Sequence, residues 1–155
     1  GPLMHIIAAK AVAFSEAMEL TFVDYQRQVV ANAQVLAREL AAAGLRIVSG
    51  GTDNHLLLVD VSSMHLTGAQ AEVALEAAGI AANKNLIPYD QRGPRETSGI
   101  RLGTAAVTTR GFREQEMREV AEIIVRVLRH PDDAATLRAA QRQSRALCLR
   151  FPIPG

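Results

Sequence analysis

The sequence predicts an α/β fold in which a small, mostly antiparallel sheet packs against helices. Three observations carry that expectation. Helical and strand patterns occur in separate blocks along the 155 residues, in the order helix, helix, strand, strand, helix, strand, strand, helix, helix, and a segregated order suits helices layered on a sheet. His55 to Val61 is a nearly continuous apolar run, as expected of a central strand. Phe112 to Arg129 repeats apolar residues at helical spacing, with Met117, Val120, Ile124, Val127 and Leu128 facing inward. The length fits one core, and a 48% apolar, 21% charged composition is globular and excludes extensive disorder.

Taken in order, Met4 to Leu20 reads as a helix, with Ile7, Ala11, Phe14 and Met18 at helical spacing and Pro2 just ahead of its start. Thr21 followed by Asp24 resembles a capping box, so a second helix is expected over Phe22 to Ala43. Its inner stripe would be Tyr25, Val29, Ala33, Leu36 and Leu40, with Gly44 as the stop. Arg46 to Val48 is a short strand candidate, Ser49 to Asn54 a turn, and His55 to Val61 the clearest strand. Thr67 can cap a helix over Gly68 to Ala78, ended by Gly79. Ile80 to Ala82 reads as a strand, Asn83 to Ser98 as a long polar loop and Ile100 to Thr104 as another strand. After the helix over Phe112 to Arg129, Pro131 opens a last helix to about Leu149. Residues 1–43 are read as linking helices and residues 44–155 as the α/β domain.

Several function classes are disfavoured. Net charge is +1, from 17 basic and 16 acidic residues, which argues against a general nucleic-acid binder. With no Trp, two Tyr and four Phe, there is no aromatic platform on which bases could stack. The single cysteine, Cys148, excludes an internal disulfide and a multi-cysteine metal site, and a reducing, cytoplasmic home is the simplest expectation. Cys148 itself reads as a small hydrophobe at a helix contact. His55, beside Asp53 and Asn54, has no further ligands at a metal-binding spacing, so no metal is expected. The first residues lack a basic leader, and no apolar run reaches the ~20 residues that span a bilayer.

The informative stretch is Asn83 to Gly111. It carries Lys84, Arg92, Arg95, Arg101 and Arg110, opposed by Asp90 and Glu96 alone. Arg101 lies between Ile100 and Leu102, so a strand would hold its guanidinium rigidly, and the planar fork suits a carboxylate or phosphate. Thr97, Ser98, Gly99 and Gly103 offer hydroxyls and close backbone approach nearby. A strand arginine can equally face solvent or pair with a neighbouring acid. Lys84, Arg92 and Arg95 read as charges of a solvated loop.

The blocks GPLMHIIAAKAVAF, SGGTDNHLLLVDV, NKN-x-x-P-x-D, TSGIRLGT and TTRGF, in this order and spacing, resemble the C-terminal portion of serine hydroxymethyltransferases across essentially the whole chain. The resemblance implies the small C-terminal domain of a fold-type I pyridoxal-phosphate enzyme, with N-terminal helices that link to a larger domain. Such enzymes are homodimers or tetramers that transfer a one-carbon unit between serine and tetrahydrofolate, giving glycine. Their catalytic lysine, which holds pyridoxal phosphate as a Schiff base, belongs to the large domain, so no catalytic residue is expected in this chain. By the same resemblance, Arg101 binds the carboxylate of serine or glycine. Asn85 and the tripeptide Gly93, Pro94 and Arg95 belong to the folate site, and Gly1 reaches the cofactor phosphate of the neighbouring subunit. Arg95 stands where related sequences carry an apolar residue, and Ala105 stands in place of proline. Two alternatives stay open: a related pyridoxal-phosphate aldolase or α-methylserine-type transferase, and a non-catalytic module that pairs with another chain.

Overall fold

The computed structural model describes residues 1–154. Its chain order is α1 (Met4–Ala17), α2 (Leu20–Ala42), β1 (Arg46–Ile47), β2 (Leu56–Asp60), α3 (Gly68–Ala77), β3 (Asn83–Asn85), β4 (Gly99–Gly103), α4 (Ala105–Thr109), α5 (Glu114–Arg129) and α6 (Ala134–Arg150). The four strands form one sheet in the order β1-β2-β4-β3, and every pairing is antiparallel. The expected α/β class with helices packed on a small sheet is the observed one. No helix among the described residues is long and apolar enough to cross a membrane.

The sheet has one covered and one open face, and the register decides which residues fall on each. Leu57 pairs with Leu102 and Val59 with Ile100, and all four are buried. They meet α2, α3 and α5 through Ala33, Leu36, Leu40, Leu75, Ile124 and Leu128 in one continuous core. Fully burying a leucine or isoleucine side chain contributes about 1.5–3 kcal/mol. Neighbouring strand residues alternate faces, so Leu56, Leu58 and Arg101 lie on the opposite, open side.

The first two helices depart from expectation. The chain breaks at Met18 and Glu19, ahead of the expected capping box. Thr21 caps nothing, because the helix already starts at Leu20 with Glu19 at its N-cap, and Asp24 accepts from Arg27 at 3.1 Å. α1 has no buried residue, whereas α2 is buried at Val29, Ala33, Leu36 and Leu40, as the apolar stripe predicts. The core therefore runs across the expected 43/44 boundary. Gly44 ends α2 with φ +95°, a left-handed conformation open to a residue without Cβ, and the next amide, of Leu45, returns to the Leu40 carbonyl at 3.1 Å.

Other elements shift for identifiable reasons. Ile80 to Ala82 is irregular, and the strand is Asn83–Asn85, inside the expected loop. β3 is an edge strand over a half-open sheet, so a polar sequence suffices for pairing and the apolar pattern is misleading there. α4 is one turn long, too short for periodicity to reveal. The last helix begins at Ala134, after Pro131, because Asp133 accepts from the amides of Ala135 (3.3 Å) and Thr136 (2.9 Å). Thr67 does cap α3, and Gln70 returns the bond to the Thr67 amide at 2.9 Å.

Candidate functional site

On the open face the sheet and the turn after β1 enclose a shallow depression of about 650 Å³. Arg101 and Asn85 line it together with Leu58, Gly50, Thr52 and Asp53. The two residues come from different strands. Arg101 lies opposite Leu58 on one side and Asn83 on the other, and Asn85 lies opposite Gly99. The turn is held by its own side chains: Thr52 Oγ donates to the Leu56 carbonyl at 2.6 Å, and Asn54 Oδ1 accepts from the Leu56 amide at 2.8 Å.

Arg101 makes no hydrogen bond or ion pair to any described residue and is exposed, although β4 anchors its backbone. The nearest acid across the strands is already taken. Asp60 Oδ2 accepts from Arg46 Nε and Nη2, each at 2.9 Å, and Asp60 Oδ1 accepts from the Ser62 amide at 2.9 Å. Partial burial works to raise the Asp60 pKa, but the Ser62 and Arg46 hydrogen bonds prevail and hold the carboxyl below the usual range. An exposed guanidinium on a fixed strand, with no internal anion, is suited to an incoming carboxylate or phosphate.

The hydroxyls expected beside Arg101 are engaged within the loop instead. Thr97, at φ +55°, is buried and donates to the Gly99 carbonyl at 3.1 Å. Ser98 Oγ donates to Asp90 Oδ1 at 2.6 Å. Asp90 also accepts from the amides of Ile87, Arg92 and Ser98 at 3.2, 3.0 and 2.8 Å, so one carboxylate ties both ends of the loop between β3 and β4. Desolvation opposes its ionisation. The bonds from Ser98, Arg92 and Ile87 outweigh it and keep the carboxyl far below the usual carboxylate range.

The loop charges are mostly engaged, contrary to a freely solvated loop. Lys84 Nζ donates to Glu72 Oε2 at 2.9 Å, and Arg92 Nη1 donates to the Leu66 carbonyl at 2.9 Å. Arg110 donates to the Phe151 and Cys148 carbonyls at 2.8 and 2.7 Å. Gly93, Pro94 and Arg95 lie exposed on the loop in a turn closed by the Glu96 amide on the Gly93 carbonyl at 3.1 Å. They do not line the depression, and neither does Gly1, which is exposed at the start of the chain. Sequence reasoning placed a turn at Ser49 to Asn54 but missed its position beside Arg101, and it missed the Arg46–Asp60 pair and the Asp90 bracket. The first two become visible only once β1, β2 and β4 are in register. The separation of Asp90 from Ser98 carried no motif. Among the described residues no group of three potential metal ligands is present.

Residues 1–124 match the family model described as serine hydroxymethyltransferase. Two curated relatives share that name. The one from Nitrosomonas europaea is 56% identical over 155 residues, and the one from Nitrosomonas eutropha is 54% identical over the same length. Each alignment covers 100% of this chain, which spans 37% of the length of either relative.

Proposed function

This chain belongs to the serine hydroxymethyltransferase family, and on that premise we propose that it is the C-terminal part of an enzyme that interconverts serine and tetrahydrofolate with glycine and methylenetetrahydrofolate. Within it Arg101 holds the carboxylate of the amino-acid substrate. The observation that supports this role is the Arg101 guanidinium, without a partner among the described residues and carried on β4 in one depression with Asn85, while the neighbouring Asp60 is held by Arg46. A carboxylate gripped at both oxygens by the planar fork leaves the amino acid one rotation about its Cα. The bond to be broken can then be set at a fixed angle. Positioning of this kind can contribute several kcal/mol to the rate.

The cofactor of the parent enzyme, pyridoxal phosphate, has no covalent anchor that fits in this chain. Its two lysines are Lys10, on the exposed α1, and Lys84, which is paired with Glu72. The anchoring lysine is assigned to the part of the parent outside this chain, so the chain alone is inactive. Asn85, Gly93, Pro94 and Arg95 are assigned to the folate site and Gly1 to the cofactor phosphate of a neighbouring subunit. Both assignments rest on the motif resemblance, and a site shared between subunits requires a homodimer or tetramer; the single cysteine fits a reducing, cytoplasmic home.

In the complete enzyme, Arg101→Ala should raise the serine KM tenfold or more, about the strength of a charge-assisted hydrogen bond, and lower kcat. Wild-type kinetics would refute the carboxylate role. Asn85→Ala should raise the tetrahydrofolate KM more than the serine KM. A complete enzyme that binds no tetrahydrofolate would point to a folate-independent aldolase. Pyridoxal phosphate added to this chain alone should give no visible band of lysine-bound cofactor, and such a band would contradict the assignment of the lysine elsewhere.

A further inference from the structure

We propose that Arg46 keeps Arg101 vacant for substrate by occupying Asp60, the carboxylate that would otherwise capture it. This rests on the reading of Arg101 as the carboxylate-binding residue. Two rows of residues cross the open face of the sheet. One runs Arg46, Asp60, Gly99, Asn85, and the next runs Leu58, Arg101, Asn83. Asp60 lies two residues beyond Leu58, the cross-strand partner of Arg101, and so stands diagonal to Arg101 on the same face. Diagonal neighbours are roughly 7–8 Å apart, within the span of a long side chain. The β4 residue directly opposite Asp60 is Gly99, so no β4 side chain stands in that row.

Arg101 nevertheless forms no ion pair within the described residues, and both oxygens of Asp60 are engaged elsewhere. Oδ2 takes Nε and Nη2 of Arg46, and Oδ1 takes the Ser62 amide. The Asp60 side chain is 13% exposed and that of Arg46 57%, so the acid is shielded while the arginine that holds it remains in contact with solvent. Arg46 also approaches from β1, on the far side of β2 from Arg101. It can therefore hold the acid without standing between Arg101 and an incoming ligand. Without Arg46, Asp60 would present an unpaired oxygen diagonal to Arg101, and a substrate carboxylate would have to compete with it. Arg46 is thus a positioning residue that acts on Arg101 through Asp60 and does not touch substrate.

The test uses the complete, cofactor-loaded enzyme, with the glycine Kd and serine kinetics measured for Arg46→Ala, Arg46→Lys, Arg46→Ala with Asp60→Asn, and Arg101→Ala. Arg46→Ala should weaken glycine binding about threefold to fivefold, the upper range for an exposed competing pair, and raise the serine KM with kcat nearly unchanged. Arg46→Lys and the double variant should both recover wild-type binding. A structure of Arg46→Ala without amino acid should show the Arg101 guanidinium on Asp60. Arg46→Gln carries the same comparison if the alanine variant does not fold. Unchanged glycine binding in Arg46→Ala, a double variant as weak as the single, or an Arg101 still unpaired in that structure overturns the proposal. If Arg101→Ala loses glycine while Arg46→Ala does not, the role of Arg46 fails and the carboxylate reading stands. Wild-type glycine binding by Arg101→Ala would remove the carboxylate reading and this inference with it.

Discussion

Two residues show how tightly the loop before β4 is constrained. A Cβ on Gly68 would lie 2.0 Å from Thr97 Oγ1 and 2.3 Å from the Gly99 carbonyl oxygen. Gly68 lets α3 seat directly on the loop that delivers Arg101, and its amide donates to the Thr97 carbonyl at 3.0 Å. Gly68→Ala should cost about 3 kcal/mol, the overpacking range, read by urea denaturation; a loss under about 0.5 kcal/mol, the range of ordinary surface substitutions, would show that the contact yields. Asp90 supplies the second constraint. Its folded pKa lies below the usual 3.8, so its ionised form stabilises the fold above that value. That contribution is lost as pH falls through 3.8 towards the folded pKa. Asp90→Asn should therefore lower stability at neutral pH and flatten the acid limb of the stability profile. A parallel profile for variant and wild type would exclude Asp90 as its source. Arg101 was legible as an anion-binding candidate because of its place between two apolar strand residues. Thr97 and Ser98 turn to partners within the loop, an outcome not legible in advance, since a sequence does not say whether a hydroxyl faces a ligand or its own neighbours.

The strongest sequence signals came from long amphipathic helices, and the weakest from short or edge elements. α5 matches its periodic pattern closely, while β3 has no pattern of its own and exists through pairing with β4. Capping was readable where the geometry is local. Thr67 and Gln70 form their reciprocal pair at the start of α3, and Thr67→Ala should cost about 1 kcal/mol of stability by thermal or urea unfolding. A cost near zero would mean that the Gly68 and Ala69 amides, bonded to the Thr97 and Glu96 carbonyls, already hold the helix start. At α2 the same kind of motif failed, because the helix starts at Leu20 and Thr21 therefore lies inside it.

Across the whole molecule, stability is unevenly distributed. α1 buries no residue and exposes Met4, Ile7, Val12 and Phe14, whereas β2, β4, the second half of α2 and α5 share the core. A helix of 14 residues without packing is marginal in water. In hydrogen exchange on this chain, α1 amides should therefore exchange among the fastest and those of β2 and β4 among the slowest. Equal protection would show that α1 is held by contacts absent from this arrangement. The amino-acid sequence by itself determined the α/β class, the amphipathic helices and their main stops, the central strand and the family resemblance, because these rest on local periodicity, backbone conformation and motif order. Only the tertiary structure decided which strands are neighbours, that Asn85 and Arg101 share one depression, and that Asp60 is engaged by Arg46. Those are matters of register between segments distant in the chain, and register is set by the fit of the buried face, which no local pattern specifies.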